Sequence, residues 1–182
     1  MLLYIHGFGS CGSGNIVTEL KQLFGAEDVL SPDLPHAPKE AMEVLEQLIS
    51  SNLVDLLVGS SLGGFYSEWL NQQHQIPCVL INPSTRPDIT LTKYIGSVED
   101  WCTGKVFEWT EDLVAQLMPF KRERPDPSEH YLVLLQTGDE ILDYRLAAER
   151  YKDHQVVIEQ GGNHRFESLE KHLDKIAVFR QQ

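Results

Sequence analysis

No apolar run in this chain approaches the roughly 20 residues of a membrane span. The apolar stretch 1–5 is too short for the hydrophobic region of a secretory signal, and no basic segment precedes it. Positive charge is scarce: 15 Lys and Arg face 27 Asp and Glu, a formal net charge of −12. That balance argues against nucleic acid and against a membrane surface as partners. Cysteine is scarce as well. Cys11, Cys78 and Cys102 are odd in number and show no metal-ligand spacing. The expectation is a reduced, cytoplasmic protein that needs no metal and no cofactor. Cys78, inside an apolar run, reads as a small buried hydrophobe. Repeats, linkers and low-complexity segments are also missing, so the 182 residues read as one domain, 1–182.

What is present alternates. Short apolar strands are expected at 2–5, 28–31, 53–58, 78–81, 131–135 and 156–158, each ending in a turn rich in Gly, Pro, Asn or Asp. Helical spacing follows most of them, as in Ile16, Val17, Leu20, Leu23 and Phe24, or Ala41, Val44, Leu45, Leu48 and Ile49. Further helices are expected over 111–118, over 144–151 and along Phe166, Leu169, Leu173, Ile176 and Phe179. Strands that are apolar throughout, rather than alternating, belong to parallel sheets covered on both faces. The fold class is therefore α/β, with six mainly parallel strands and helices on both faces. The stretch 84–129 is less regular and reads as a small cap or lid insertion.

The stretch 53–70 organises the rest. An apolar run stops at Gly59, and Gly59-Ser60-Ser61-Leu62-Gly63 leads into the helical spacing of Leu62, Phe65, Tyr66, Trp69 and Leu70. Strand, tight turn and helix with G-x-S-x-G is the nucleophile elbow, which exposes a serine hydroxyl on a strained turn. The competing reading of Ser61 is a helix N-cap. A nucleophilic serine needs a base, and the base needs an orienting group. Along the chain Ser61 is followed by Asp139 and then His164, the order nucleophile, acid, base found in α/β-hydrolases. Each candidate follows a strand, where open α/β sheets bind ligands. Glu140 and Asp143 are alternatives for the acid, with Asp143 better suited to capping the next helix. The oxyanion of acyl transfer needs aimed N–H donors. Leu62, after the nucleophile, supplies one, and Phe8 in the loop after the first strand supplies the other, with Gly9 as the alternative.

A rival pattern shares that loop. Gly7-Phe8-Gly9-Ser10-Cys11-Gly12 matches the dinucleotide fingerprint G-x-G-x-x-G, with Asp33 as a distant ribose-binding acid. It leaves the elbow, Asp139 and His164 without a role.

Taken together, His6-Gly7-Phe8, the elbow with Gly64, Asn82-Pro83-Ser84-Thr85-Arg86-Pro87, the run from Gln136 to Arg145 and Gly161-Gly162-Asn163-His164-Arg165-Phe166 resemble the small bacterial YqiA-like esterases over nearly the whole chain. The resemblance implies a compact α/β-hydrolase fold that starts at the third strand of the usual fold. It implies a Ser61–Asp139–His164 triad acting on carboxylic esters, or acyl thioesters, as small-molecule substrates. A hydrolase-fold C–C bond lyase would use the same triad. The stretch 96–129 departs from the family pattern. There Trp101 and Trp109, with Phe107 and Met118, are candidates to line an acyl pocket, or else to pack the cap onto the body. Lys121-Arg122-Glu123-Arg124 either meets an anionic substrate such as a coenzyme A ester or is a solvated loop.

Overall fold

A computed structural model describes residues 1–182. The chain runs β1 (Leu2–Ile5), α1 (Asn15–Phe24), β2 (Val29–Leu30), α2 (Pro38–Ser51), β3 (Leu56–Ser60), α3 (Leu62–His74) and β4 (Cys78–Ile81). It continues through α4 (Pro87–Thr90), β5 (Gly96–Glu99), β6 (Val106–Trp109), α5 (Glu111–Ala115), β7 (Tyr131–Gln136), α6 (Tyr144–Arg150), β8 (Gln155–Glu159) and α7 (Leu173–Arg180). Six strands form one sheet in the order β2-β1-β3-β4-β7-β8, and every pairing in it is parallel.

Alternate strand residues face opposite sides, so a strand covered on both sides must be apolar at every position. In β1, Leu3 and Ile5 join the core under α2 and α3, while Leu2 and Tyr4 join the core under α1 and α7. Both sets are buried, and β3, β4 and β7 repeat the pattern. The chain winds from β1 out to β2 and then returns to β3 on the other side of β1. That reversal opens a crevice at the carboxyl ends of β1 and β3, where doubly wound sheets place their ligands.

The segment expected to be irregular holds an antiparallel hairpin, with Gly96 of β5 opposite Trp109 of β6 and Val98 opposite Phe107. Short α4 precedes it and short α5 follows it. The helix expected over 111–118 stops at Ala115 and gives way to a single 3-10 turn, Met118–Phe120, containing Pro119. The last helix begins at Leu173, because Phe166 and Ser168 both sit at φ 64° and cannot continue a right-handed helix.

A buried ion network ties α3 to α6. The Glu68 carboxylate, 4% exposed, accepts from the Arg150 guanidinium and the Tyr151 hydroxyl. Removing one partner of such a pair strands a buried charge and costs about 3–5 kcal/mol.

The expectation of reduced cysteines is overturned. Cys11, in the loop after β1, is disulfide-bonded to Cys102 at the hairpin tip, and Cys78 alone is free and buried. The partners lie 91 residues apart, so no local spacing announces the pair. The hairpin tip has two further ties to the body. Trp101 N–H donates to Gly9 O at 2.8 Å. His36 stacks on Phe107 and approaches the buried Asp100 carboxylate at 3.8 Å.

Closing so long a loop stabilises a fold by about 4–5 kcal/mol in the chain-entropy picture. Reduction with dithiothreitol should therefore lower the melting temperature, and a Cys102→Ser variant should melt with the reduced protein. Identical melting with and without reductant would show that the cross-link constrains nothing.

Candidate active site

The turn between β3 and α3 brings backbone into unusually close quarters. A Cβ at Gly63 would stand 1.9 Å from the Ile5 carbonyl oxygen, and one at Gly59 would stand 2.4 Å from the Gly63 oxygen. Only glycine fits either position. Between them Ser61 takes φ 52°, ψ −118°, a strained conformation for an L residue. Its side chain makes no capping hydrogen bond, which removes the N-cap reading. The turn is held by Ser61 N–H donating to Ile81 O at 3.1 Å and Gly64 N–H donating to Ser61 O at 3.0 Å.

The Ser61 hydroxyl meets His164 Nε2 at 3.0 Å. His164 Nδ1 lies 2.8 Å from Asp139 Oδ2 and 3.0 Å from Oδ1. The Asp139 side chain is 2% exposed and that of His164 19%. A carboxylate can only accept, so Nδ1 carries the proton and Nε2 presents its lone pair to the serine. Asp139 Oδ1 also accepts from Ile141 N–H (2.9 Å) and Leu142 N–H (2.8 Å), which fixes the carboxylate plane.

The alternative acids serve elsewhere. Asp143 caps α6 by accepting from Arg145 N–H at 3.0 Å. Glu140 Oε2 accepts the backbone N–H of His164 at 3.0 Å and so holds the loop rather than the ring.

Leu62 opens α3, and the loop after β1 crosses directly over Ser61, with the Gly7 Cβ position 3.1 Å from Ser61 Cβ. Neither Phe8 N–H nor Leu62 N–H donates within the backbone network. Leu62 N–H stands at the positive end of the α3 dipole, directly after Ser61. The Phe8 ring is pinned edge-on to Phe107 and Trp109 at centroid distances of 5.7 and 4.7 Å.

His6, just past the end of β1, carries no role in the sequence reading. Its Nδ1–H donates to Gly7 O at 2.8 Å and its Nε2 accepts Leu34 N–H at 3.0 Å. The bond accepted by Nε2 requires the neutral ring, and burial pushes its pKa below the ordinary histidine value. Its position directly before Gly7 at a strand end was the available signal.

Two expected substrate residues part company. Trp101 is 76% exposed, beside Gly9 and under the Arg165 guanidinium. Trp109 is fully buried and donates Nε1–H to Leu91 O at 3.1 Å, so it packs the hairpin onto the body and is closed to a ligand. The basic run is spent on ion pairs: Lys121 with Asp88, Arg122 with Glu129 and Arg124 with Asp153. Asp33, the ribose acid of the dinucleotide reading, instead accepts Gly12 N–H at 2.8 Å. A cavity of about 20 Å³ adjoins Ser61, lined among others by Leu62, Leu91, Tyr94, Ile141 and Leu142.

The chain matches the model of an uncharacterised protein family, UPF0227, over residues 1–181. It belongs to that family. A UPF0227 protein of Vibrio campbellii is 30% identical to it over 99% of both chains. Among solved structures, the monoacylglycerol lipase of Paleococcus ferrophilus superposes with a TM-score of 0.72 at 15% identity, covering 98% of this chain and 93% of the lipase. Est1E of Butyrivibrio proteoclasticus, solved with bound ferulic acid, gives 0.69 at 16% identity, covering 99% and 86%. At such identities the likeness is one of fold, and this UPF0227 member has the α/β-hydrolase fold.

The His6 bonds carry a pH signature. Because the folded pKa lies below the unfolded value of about 6.5, the unfolded chain binds the extra proton first. The contribution is complete above pH ~6.5 and is lost as pH falls through the folded pKa. Wild-type stability should drop more steeply between pH 7.5 and 5 than that of a His6→Gln variant, measured by urea unfolding. Parallel curves would mean that folding leaves the His6 pKa at its unfolded value.

Proposed function

We propose that this chain is a serine hydrolase of carboxylic esters, extending to acyl thioesters, that works through an acyl-enzyme. The observation that carries the reading is the continuous relay Ser61 Oγ–His164 Nε2–Nδ1–Asp139, at 3.0 and 2.8 Å, on a serine held in strained backbone. In the first step Ser61 Oγ attacks the ester carbonyl carbon while its proton passes to His164 Nε2. Asp139 stabilises the imidazolium without taking its proton. The oxyanion develops against Phe8 N–H and Leu62 N–H, where fixed donors act without reorganising. The tetrahedral species collapses, the C–O or C–S bond breaks, and His164 returns the proton to the leaving group. Water then repeats the sequence, with His164 as base, and releases the carboxylic acid and free Ser61.

The cavity beside Ser61 favours a short acyl group. Its volume of about 20 Å³ only modestly exceeds the ~10–15 Å³ needed for one water. The segment 84–129 is read as the cap. Leu91 and Tyr94 give that cavity part of its wall, and the β5–β6 tip presents Trp101 beside Gly9.

A fluorophosphonate probe should label the folded wild type, and labelling should vanish in Ser61→Ala. Ester turnover in that variant should fall at least about 1,000-fold, as when a triad nucleophile is removed. An unlabelled wild type, or a Ser61→Ala variant with full turnover, overturns the reading. Asp139→Asn should lower kcat by about four orders of magnitude, because the amide favours the wrong imidazole tautomer. Along a p-nitrophenyl ester series, kcat/KM should peak at acetate or propionate and fall by octanoate. A rising series would show that the pocket does not limit the acyl chain.

A further inference from the structure

The Asn82-Pro83-Ser84 turn after β4 has no part in the chemistry above, yet it touches the segments that supply Ser61, Asp139 and His164. Asn82 is 2% exposed and sits at φ 40°, a region asparagine enters more readily than most L residues. Its Nδ2 group donates to the carbonyl oxygens of Asn163 (3.0 Å) and His164 (3.3 Å). Its Oδ1 accepts Gln136 N–H at 3.0 Å, at the end of the strand that leads to Asp139. The backbone of the same turn grips the nucleophile: Ile81 O accepts Ser61 N–H and Ser84 N–H donates to Ser61 O at 2.9 Å.

From these bonds we infer that Asn82 is a positioning residue for the proposed reaction: it sets the His164–Ser61 distance by tethering the histidine loop to the turn that holds the serine. The inference rests on the hydrolase reading.

The loop needs such a tether. Gly161 and Gly162 stand at φ 83° and 71° and belong to no helix or strand, so nothing regular fixes His164. Its peptide is instead held from both ends, N–H by Glu140 and C=O by Asn82. Gln136 adds a second hold, its Oε1 accepting Asn163 N–H at 3.1 Å and Glu167 N–H at 3.0 Å. An amide on a one-carbon stem supplies donors and an acceptor together without charge. Aspartate would turn a second oxygen toward the two carbonyls.

Asn82→Gly separates the side chain from the backbone, because glycine adopts φ 40° freely. Displacing a catalytic group by about 1 Å costs on the order of 100-fold. Asn82→Gly and Asn82→Asp should therefore lose about 10- to 100-fold in kcat for p-nitrophenyl acetate, with KM within about twofold. Their fluorophosphonate labelling rates should fall by the same factor. In a His164→Ala background, Asn82→Gly should cause no further loss, since its action runs through His164. Wild-type labelling with an equal rate in Asn82→Gly overturns the inference and leaves the hydrolase reading standing. So does an additive loss in the His164→Ala background, which would mark Asn82 as generally structural. A wild type that labels at no serine overturns the hydrolase reading and this inference with it.

Discussion

Ser61 is held at φ 52°, ψ −118°, where an L residue pays about 1–3 kcal/mol in backbone strain. The conformation survives because its surroundings over-determine it. Gly59 and Gly63 let β3, α3 and the end of β1 approach to distances that no Cβ allows. The Ser61 N–H is taken by the last residue of β4 and its C=O by the turn that follows. The site inherits its geometry from this arrangement. The strained turn brings the hydroxyl to His164 Nε2 at the start of α3. The loop after β1 can then cross the serine closely, with the Gly7 Cβ position 3.1 Å from Ser61 Cβ.

Charge is managed around that centre rather than at it. The protein carries a formal −12, but its buried charges are compensated. Glu68 is paired with Arg150, and Arg122 with Glu129. Asp139 faces His164 and two backbone amides. Pairs of this kind add little net stability over apolar packing. They do tie specific elements together, here α3 to α6 and the 121–124 run to the strand end at Tyr131. The hairpin is fastened by different means, a disulfide, a stacked histidine and an aromatic cluster around Phe8. The flap beside the site is thus joined to the very loop that crosses Ser61.

Much of the scaffold was legible because it is written in local patterns. Wholly apolar strands announce a parallel sheet buried on both faces, and all six were visible as runs ending in turn residues. The elbow was legible because its glycines and serine are contiguous, and Asp139 and His164 stood out as candidates because each follows a strand. The failures have a common cause. The hairpin went unrecognised because its strands are half exposed, with weak alternation around Val98 and Phe107. The Cys11–Cys102 bond joins distant points of the chain, and Trp109 resembles a pocket residue until its Nε1–H is seen bonded to Leu91 O.

The sequence by itself determined the layered α/β scaffold, the order of the strand-end residues and the one position where a serine could be strained. Periodicity and glycine placement are local properties, so they survive without coordinates. Tertiary structure alone decided which acid meets the imidazole, which tryptophan is sealed away and which cysteines pair. It also decided that Asn82 spans from the serine's turn to the histidine's loop. Each of these depends on distances between segments far apart in the chain, and those distances exist only once the sheet has brought its carboxyl ends together.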